Sequence, residues 1–446
     1  MIIIKFGGTS VSTKKNIDSI LKIVKRNLRN NPIVVVSALS GVTDLLLSLI
    51  YSPKPEQIGT LNEIRKKHFD LVFDCLGKLP LEIKMNIDQS IEDLTKLLDR
   101  NTQEKSFRDE VISYGEIMSS YIITQLLNFS KIESKQIIAS KIIITDSHFG
   151  GAEFLPELTK TKTKKVLLPY IKKGIVPIIT GFIGSTKKGQ ITTLGRGGSD
   201  YSAAIIGYAL EVKEIQIWTD VDGVFSSDPK FIKDAKILKE ISYKEASELA
   251  AFGAKVLHPR TIRPAISADI PVKVLNTLNP NASGTIIKAK SQKSNNIIAI
   301  AAKRNITLVN LYSTDMLLSK GFLARIFTIF AKYDISIDLV SVSEVSVSVS
   351  LDNDEYLDKA VNELKDLASI TVTRELGMVS LIGEGIVEVK SILRNIFLIL
   401  DNARINVRMI SLGATDINIS LVLASESIDK TVRLFHKELI SERKNL

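Results

Sequence analysis

Little in this chain is suited to redox or metal chemistry. One residue of 446 is cysteine, Cys75, so no intrachain disulfide can form and a thiolate metal site is not expected. The four histidines, His68, His148, His258 and His436, are scattered without HExxH-type spacing, so a histidine-held metal is not expected either. Any metal should arrive with a nucleotide, held by phosphates and one or two carboxylates. Long apolar runs are also missing. The N-terminal one stops at Lys5, too short for a signal peptide, and none approaches the ~18 residues of a membrane span. A cytoplasmic protein without membrane partners is the expectation. The net charge is +10, yet there is no basic tail and no arginine–aromatic motif of a nucleic-acid reader. The lysines are spread as on a solvated surface, whose excess charge can help attract anionic substrates. No Ser–His–Asp spacing supports acyl transfer, and no GxGxxG with a matching acid supports dinucleotide binding.

What is present is an α/β pattern. Ile2 to Phe6 reads as a buried strand ending in a glycine turn. Ser12 can cap a helix bearing Ile17, Ile20, Leu21 and Val24, and Pro32–Ser37 reads as a second buried strand before a helix from about Thr43. Residues from about 56 to 130 look helical, and strands resume at 136–138, 175–179, 190–193 and 214–218. Ser242 and Glu245 have the spacing of a capping box. The GSTKKGQ run (184–190) resembles a P-loop in its glycines only and reads as a hairpin turn, and DVDG (220–223) lacks the rest of a calcium loop. A first domain is expected over 1–287 and a polar linker over 288–297. In 298–446 the order βαββα occurs twice, with modules at about 305–375 and 376–446 whose intertwining is left open.

Three glycine-containing strand ends carry the chemistry: KFGGTS (5–10), SALSGVT (37–43) and LGRGGSD (194–200). Each follows a strand and precedes a helix, and helix N-termini direct N–H groups at anions. Lys5 precedes its glycines, the reverse of a P-loop. Arg196 can grip a carboxylate with two parallel hydrogen bonds or form a surface ion pair. Ser199 and Asp200 can cap the following helix. Glu116, in a helical region, matters if an ammonium must be held, and Asp228–Pro229 is a turn. Glycine loops, lysines, one arginine and acids suit phosphoryl transfer, which rests on positioning and charge neutralisation.

The blocks KFGGTSV, SALSGVT, YGEIMSS, GFIGS, TTLGRGGSDYSAA, WTDVDGVFSSDPK and AAFGAKVLHPRT occur in this order and resemble the signature blocks of aspartate kinases. SKGFLARIF and SIDLVSVSEVSVSVSLD resemble the effector region of the monofunctional, lysine-sensitive type. The resemblance covers nearly the whole chain. It implies an amino-acid-kinase fold, a three-layer α/β/α sandwich, followed by two tandem ACT modules of the ferredoxin-like βαββαβ kind. The implied reaction converts ATP and L-aspartate to ADP and 4-phospho-L-aspartate with Mg²⁺, the first step towards lysine, diaminopimelate, threonine and methionine.

The resemblance also implies roles. Lys5, Phe6, Gly7 and Gly8 would lie on the nucleotide phosphates, with Lys5 neutralising the transferring group. Thr43, Glu116, Arg196, Gly197, Gly198 and Ser199 match aspartate-binding positions, Arg196 on the α-carboxylate and Glu116 on the α-ammonium. Asp200 would orient either Mg²⁺ or the substrate amine. Thr219, Asp220, Phe225, Lys230, Lys255 and Val256 match adenine-nucleotide positions. Met316, Ser319, Phe322, Leu323, Ser336, Ile337, Asp338, Ser343 and Glu344 match lysine-effector positions, with Asp338 and Glu344 supplying negative charge. Phe225 stands where tyrosine is expected, Lys230 where arginine is common, and Asp222 where relatives often have proline, a change expected to loosen its loop. A homodimer or homotetramer through the ACT modules is expected, with no fused homoserine dehydrogenase domain. A kinase for glutamate or its N-acetyl form is disfavoured by the Glu116 block and the repeats. A non-catalytic amino-acid sensor is disfavoured by intact Lys5, Arg196 and Asp220.

Overall fold

A computed structural model describes residues 1–100, 104–252, 259–290, 297–317, 319–412 and 416–441. Two compact units make up the chain. The first comprises Met1–Val224, Ile237–Tyr243 and the described part of Val256–Ser291. The second comprises Phe225–Lys236 and the described parts of Lys244–Lys255 and Gln292–Leu446.

In chain order the first unit contains β1 (Ile2–Phe6), α1 (Lys14–Asn27), β2 (Pro32–Val36), α2 (Val42–Tyr51), α3 (Lys54–Leu76), α4 (Leu81–Leu98) and α5 (Lys105–Phe129). There follow β3 (Ser134–Ile137), β4 (Ile144–Thr145), α6 (Pro156–Lys172), β5 (Val176–Thr180), β6 (Ile183–Thr186), β7 (Ile191–Thr193), α7 (Gly198–Leu210), β8 (Glu214–Thr219) and β9 (Glu240–Ser242). Next come α8 (Tyr243–Ala251), which runs on into the second unit, α9 (Arg263–Ser267), β10 (Val272–Asn276) and β11 (Thr285–Lys288).

Eight strands form one sheet in the order β3-β5-β2-β1-β8-β10-β11-β9. From β3 to β10 every neighbouring pair is parallel, while β11 is antiparallel to β10. Such a sheet must be covered on both faces, which is why β1, β2 and β5 are buried at every position. Side chains alternate between faces. Ile2, Ile4 and Phe6 enter a core shared with α1 to α5, leaving Ile3 and Lys5 on the other face. Fully burying side chains of this size stabilises the fold by about 1.5–3 kcal/mol each. A smaller sheet, β4-β6-β7, closes the unit, and β6 and β7 form a hairpin across Gly189 at φ +85°, as the GSTKKGQ run predicts. Two caps differ from expectation. Thr13, not Ser12, caps α1 by accepting the Asn16 N–H, and Gly197 in the left-handed region precedes α7, so Ser199 and Asp200 lie inside its first turn.

The second unit contains β12 (Ala299–Tyr312), α10 (Phe322–Lys332), β13 (Leu339–Val342), β14 (Ser346–Leu351), α11 (Leu357–Leu364), β15 (Ser369–Ile382), α12 (Ile392–Asn402), β16 (Val407–Leu412), β17 (Asn418–Ala424) and α13 (Ile428–His436). Its sheet runs β13-β14-β12-β15-β17-β16. The two βαββαβ repeats share strands. Residues 307–312 of β12 pair with β14, whereas 299–303 pair with 378–382 of β15. One core gathers Val309, Phe322, Ile326 and Leu357, and the other Ile300, Val379, Ile396 and Phe435. The first strand therefore serves both modules.

Candidate active site

The strand ends of β1, β2, β5 and β8 are stitched to one another by backbone bonds. Gly7 N–H donates to Trp218 O (3.3 Å), Ser37 N–H to Phe6 O (3.2 Å), and Gly181 N–H to Val36 O (2.8 Å). Lys5 sits on β1 between Ile4 and Phe6 and is only 8% exposed. A charge so placed needs a partner. Asp200, in the first turn of α7, supplies it at 2.6 Å. A Cβ built on Gly7 would lie 3.6 Å from Lys5 Nζ, so glycine keeps the approach to the ammonium open.

Ser12 binds two of the glycine turns together. Its hydroxyl donates to Gly8 O at 2.5 Å and accepts Ser40 N–H at 2.7 Å. A side chain on Gly8 would stand 3.0 Å from Ala38 O, and one on Gly181 would stand 2.6 Å from Ser199 Cβ. The KFGGTS and SALSGVT turns thus approach each other backbone to backbone, and the GFIGS turn receives Ser199 from the GRGGSD block. Thr43 lies half-buried in the first turn of α2.

Glu116 projects from α5 beneath the second turn and is 3% exposed. Its Oε1 accepts Ala38 N–H at 3.1 Å, while the buried Oε2 has no hydrogen-bond partner among the described residues. Burial pushes its carboxyl up to about 8, against the weaker pull of Ala38 N–H and nearby Lys5. Gly115 makes this contact possible, since its Cβ would be 2.8 Å from Ala38 Cβ. Ser119, one turn on, donates to Ser37 O at 2.8 Å.

Arg196 is exposed, between Gly195 and Gly197 at φ +76° and +70°, and makes no ion pair among the described residues. Gly198 is pressed against Phe182. At the end of β8, Thr219 donates to Asp220 Oδ1 at 3.1 Å. Asp222 does not loosen its loop: its Oδ1 accepts Asn276 Nδ2 at 2.8 Å and Asn279 Nδ2 at 3.2 Å, tying the segment to the end of β10. Phe225 and Lys230 belong to the second unit, half-buried and exposed respectively. The turn at Asp228–Pro229 is present, with Lys230 N–H on Asp228 Oδ1 at 2.9 Å. Lys255 and Val256 lie outside the described residues.

In the second unit, Phe322 is buried in the first module's core, with Met316, Leu323 and Ile337 packed against it. Ser336 and Glu344 are exposed, and Ser343 shares a hydrogen bond with Ser346 at 2.7 Å between hydroxyls. Ser319 N–H closes a turn on Met316 O at 3.2 Å. Asp338 is already engaged. Lys303 Nζ reaches both its oxygens at 2.9 and 3.0 Å and Asp352 at 2.6 Å. Burial nevertheless pushes the Asp338 carboxyl up, while the two carboxylates outweigh burial at Lys303 and hold its ammonium up.

Comparison with known proteins decides the family. Residues 1–276 match the amino acid kinase family and residues 379–439 an ACT domain. The chain is 37% identical over 454 residues to lysine-sensitive aspartokinase 3 of Escherichia coli, covering 98% of this chain and 99% of that one. The chain belongs to the aspartokinase family. Aspartokinase 1 of Arabidopsis thaliana is 36% identical, with 98% of this chain and 79% of that one covered. Among solved structures, E. coli aspartokinase III in complex with aspartate and ADP superposes with a TM-score of 0.83 at 35% identity, covering 98% of this chain and 99% of that one. The same enzyme in complex with lysine and aspartate gives 0.85 at 35% identity, covering 99% and 100%.

Two residues of this aspartokinase-family chain escaped the sequence reading, Asp109 and Lys303, and Ser12 reads in the sequence only as a helix cap. Asp109 is fully buried on α5 and accepts Thr193 N–H at 2.7 Å and Gly150 N–H at 2.9 Å. Its one available signal was its place seven residues before Glu116, two turns along the same helix face. Neither Ser12 nor Lys303 had a local signal for the partners it finds.

Proposed function

We propose that this chain transfers the γ-phosphoryl group of ATP to the β-carboxylate of L-aspartate, under feedback inhibition by L-lysine. One observation carries the choice of acceptor: the buried, unpartnered Oε2 of Glu116, whose Oε1 holds Ala38 N–H in the same turn that Ser12 joins to Gly8. An orphaned acceptor at such a depth suits the α-ammonium of an amino acid. Arg196, exposed among glycines, would take the α-carboxylate through two parallel bonds. Thr43 and the N–H groups at the start of α7, Gly197 to Ser199, would complete the pocket.

The β-carboxylate is then the nucleophile, and it needs no general base because it is ionised at neutral pH. One of its oxygens bonds to the γ-phosphorus as the bond from that phosphorus to the β,γ-bridging oxygen breaks. The electron pair leaves with ADP, and the product is an acyl phosphate. Lys5 would offset charge on the transferring group, with Phe6, Gly7 and Gly8 lining the phosphates. Thr219, Asp220, Phe225, Lys230, Lys255 and Val256 are proposed for the nucleotide. A Mg²⁺ delivered on the ATP phosphates would be met by Asp200 or Asp220. Such an ion supplies charge neutralisation.

Lysine inhibition is supported by the E. coli relative, which is named lysine-sensitive and has been solved with lysine. Met316, Ser319, Phe322, Leu323, Ser336, Ile337, Asp338, Ser343 and Glu344 would form the effector site, where Glu344 has no ion pair among the described residues. Catalysis is assigned to 1–287 and regulation to 298–446. Pairing of subunits through the ACT sheet is part of the same proposal: outer strands β13 and β16 expose Val340, Val342, Ile410 and Leu412.

An ATP-dependent hydroxamate assay with aspartate, glutamate and N-acetylglutamate tests the acceptor. Aspartate alone should give signal, and a folded protein silent with aspartate refutes the reading. Lysine rather than threonine should inhibit, and Glu344→Ala should relieve it. Equal responses to both amino acids would refute the effector assignment.

A further inference from the structure

Asp109 has no place in the mechanism above, yet it is a carboxylate with no exposed surface. Its Oδ2 accepts Thr193 N–H at the end of β7 and Gly150 N–H in the loop 147–152. Its Oδ1 is buried without a hydrogen-bond partner among the described residues. An incompletely satisfied buried carboxylate is unfavourable, so its presence calls for a role.

Its two partners flank the turn that carries Arg196. Thr193 precedes Arg196 by three residues, and the left-handed Gly195 between them meets the other loop. A Cβ there would lie 3.3 Å from Gly150 O and 3.4 Å from Gly151 Cα. Ala152 N–H also donates to Thr193 O at 2.9 Å. The turn that presents Arg196 is thus seated against 150–152, and Asp109 receives an N–H from both pieces. Glu116 does the corresponding work two turns along α5, receiving Ala38 N–H from the opposite turn. One face of one helix therefore spaces two substrate-facing turns.

We propose that Asp109 is a positioning residue for aspartate recognition, fixing the Arg196 turn against the 147–152 loop. This rests on the assignment of Arg196 to the substrate carboxylate. Other anchors keep the loop in place without it: Asp146 Oδ1 accepts the N–H groups of His148 and Glu153, and Arg260 donates to Gly151 O at 3.2 Å. Loss of Asp109 should therefore loosen the Arg196 turn rather than unfold the unit. Uniform substrate binding falls when a positioning contact is lost, so KM for aspartate should rise while kcat and KM for ATP hold.

The test is steady-state kinetics on the full chain, with Asp109→Ala and Asp109→Asn measured against aspartate and ATP separately. In Asp109→Ala, KM for aspartate should rise about tenfold or more with KM for ATP within about twofold. Asp109→Asn, whose amide oxygen can still accept both N–H groups, should fall between this variant and the parent. Parallel rises in both KM values, or an unchanged KM for aspartate, would overturn the proposal. If Asp109→Ala does not fold, the Asn variant decides by the same split. The parent protein distinguishes the two levels: if it fails to phosphorylate aspartate, the proposed function has failed, whereas an active parent with insensitive variants sinks only the role of Asp109.

Discussion

The pH dependence of aspartate binding follows from the burial of Glu116. With its carboxyl pushed up to about 8, the group is about nine-tenths protonated at pH 7 in the free protein. A protonated carboxyl cannot pair with an ammonium, so aspartate must drive the proton off. Each pH unit below about 8 adds about 1.4 kcal/mol to that cost, a tenfold loss of affinity. KM for aspartate should therefore rise about fiftyfold between pH 8, where half the groups are protonated, and pH 6, while KM for ATP stays flat. The β-carboxylate titrates far below this range and contributes nothing. Glu116→Gln should have a high KM for aspartate that no longer varies with pH. The same group gives a stability signature of the opposite sense. Its folded value lies above the ordinary 4.5, so its contribution is fully present below 4.5 and is lost as pH rises through about 8. Glu116→Gln should be relatively more stable than the parent at pH 9. Coupled measurement of ADP release from pH 6 to pH 9 checks the first claim. A parent KM for aspartate that is flat over that range would refute the reasoning.

Three further outcomes are expected. Lys5→Met should lower kcat by at least about a hundredfold and also lower the melting temperature, because Asp200 loses its 2.6 Å partner; adding Asp200→Asn should restore the melting temperature but not kcat. His68 is fully buried, with Nδ1 2.7 Å from Ile64 O, and burial holds its imidazole down at about 4. Its stability contribution is present above the ordinary 6.5 and lost as pH falls to about 4, about 3 kcal/mol in all, so His68→Leu should flatten the acid limb of unfolding curves. Val342→Glu, on an outer strand of the second unit's sheet, should shift sedimentation towards the monomer if subunits pair there.

Strands buried on both faces announce themselves as apolar runs, and β1, β2, β5 and β8 were legible for that reason. β4 and β6 were not, being two and four residues long with threonine, serine and glycine among them. Local chemistry singled out Lys5 and the glycine turns as candidates, while Glu116 took its proposed role from the resemblance. What stayed hidden depends on partners far away in the chain. Ser12 looked like a helix cap, but its hydroxyl is spent on Gly8 and Ser40. Nothing local announced that Thr193 and Gly150 would come to Asp109, or that Asp338 and Asp352 would come to Lys303. The pattern sets the first module from about 305, and nothing local shows that β12 begins at Ala299 and pairs with the second module before that point.

The identity of the phosphorylated oxygen tests the central claim most directly. The product formed from ATP and L-aspartate can be trapped by borohydride, which reduces an acyl phosphate to an alcohol. The proposed placement of Arg196 on the α-carboxylate and Glu116 on the α-ammonium leaves the β-carboxylate to react, so homoserine should be the trapped product. Recovery of the isomeric amino alcohol from the α-carboxyl, or of no alcohol while ADP is released, would contradict it.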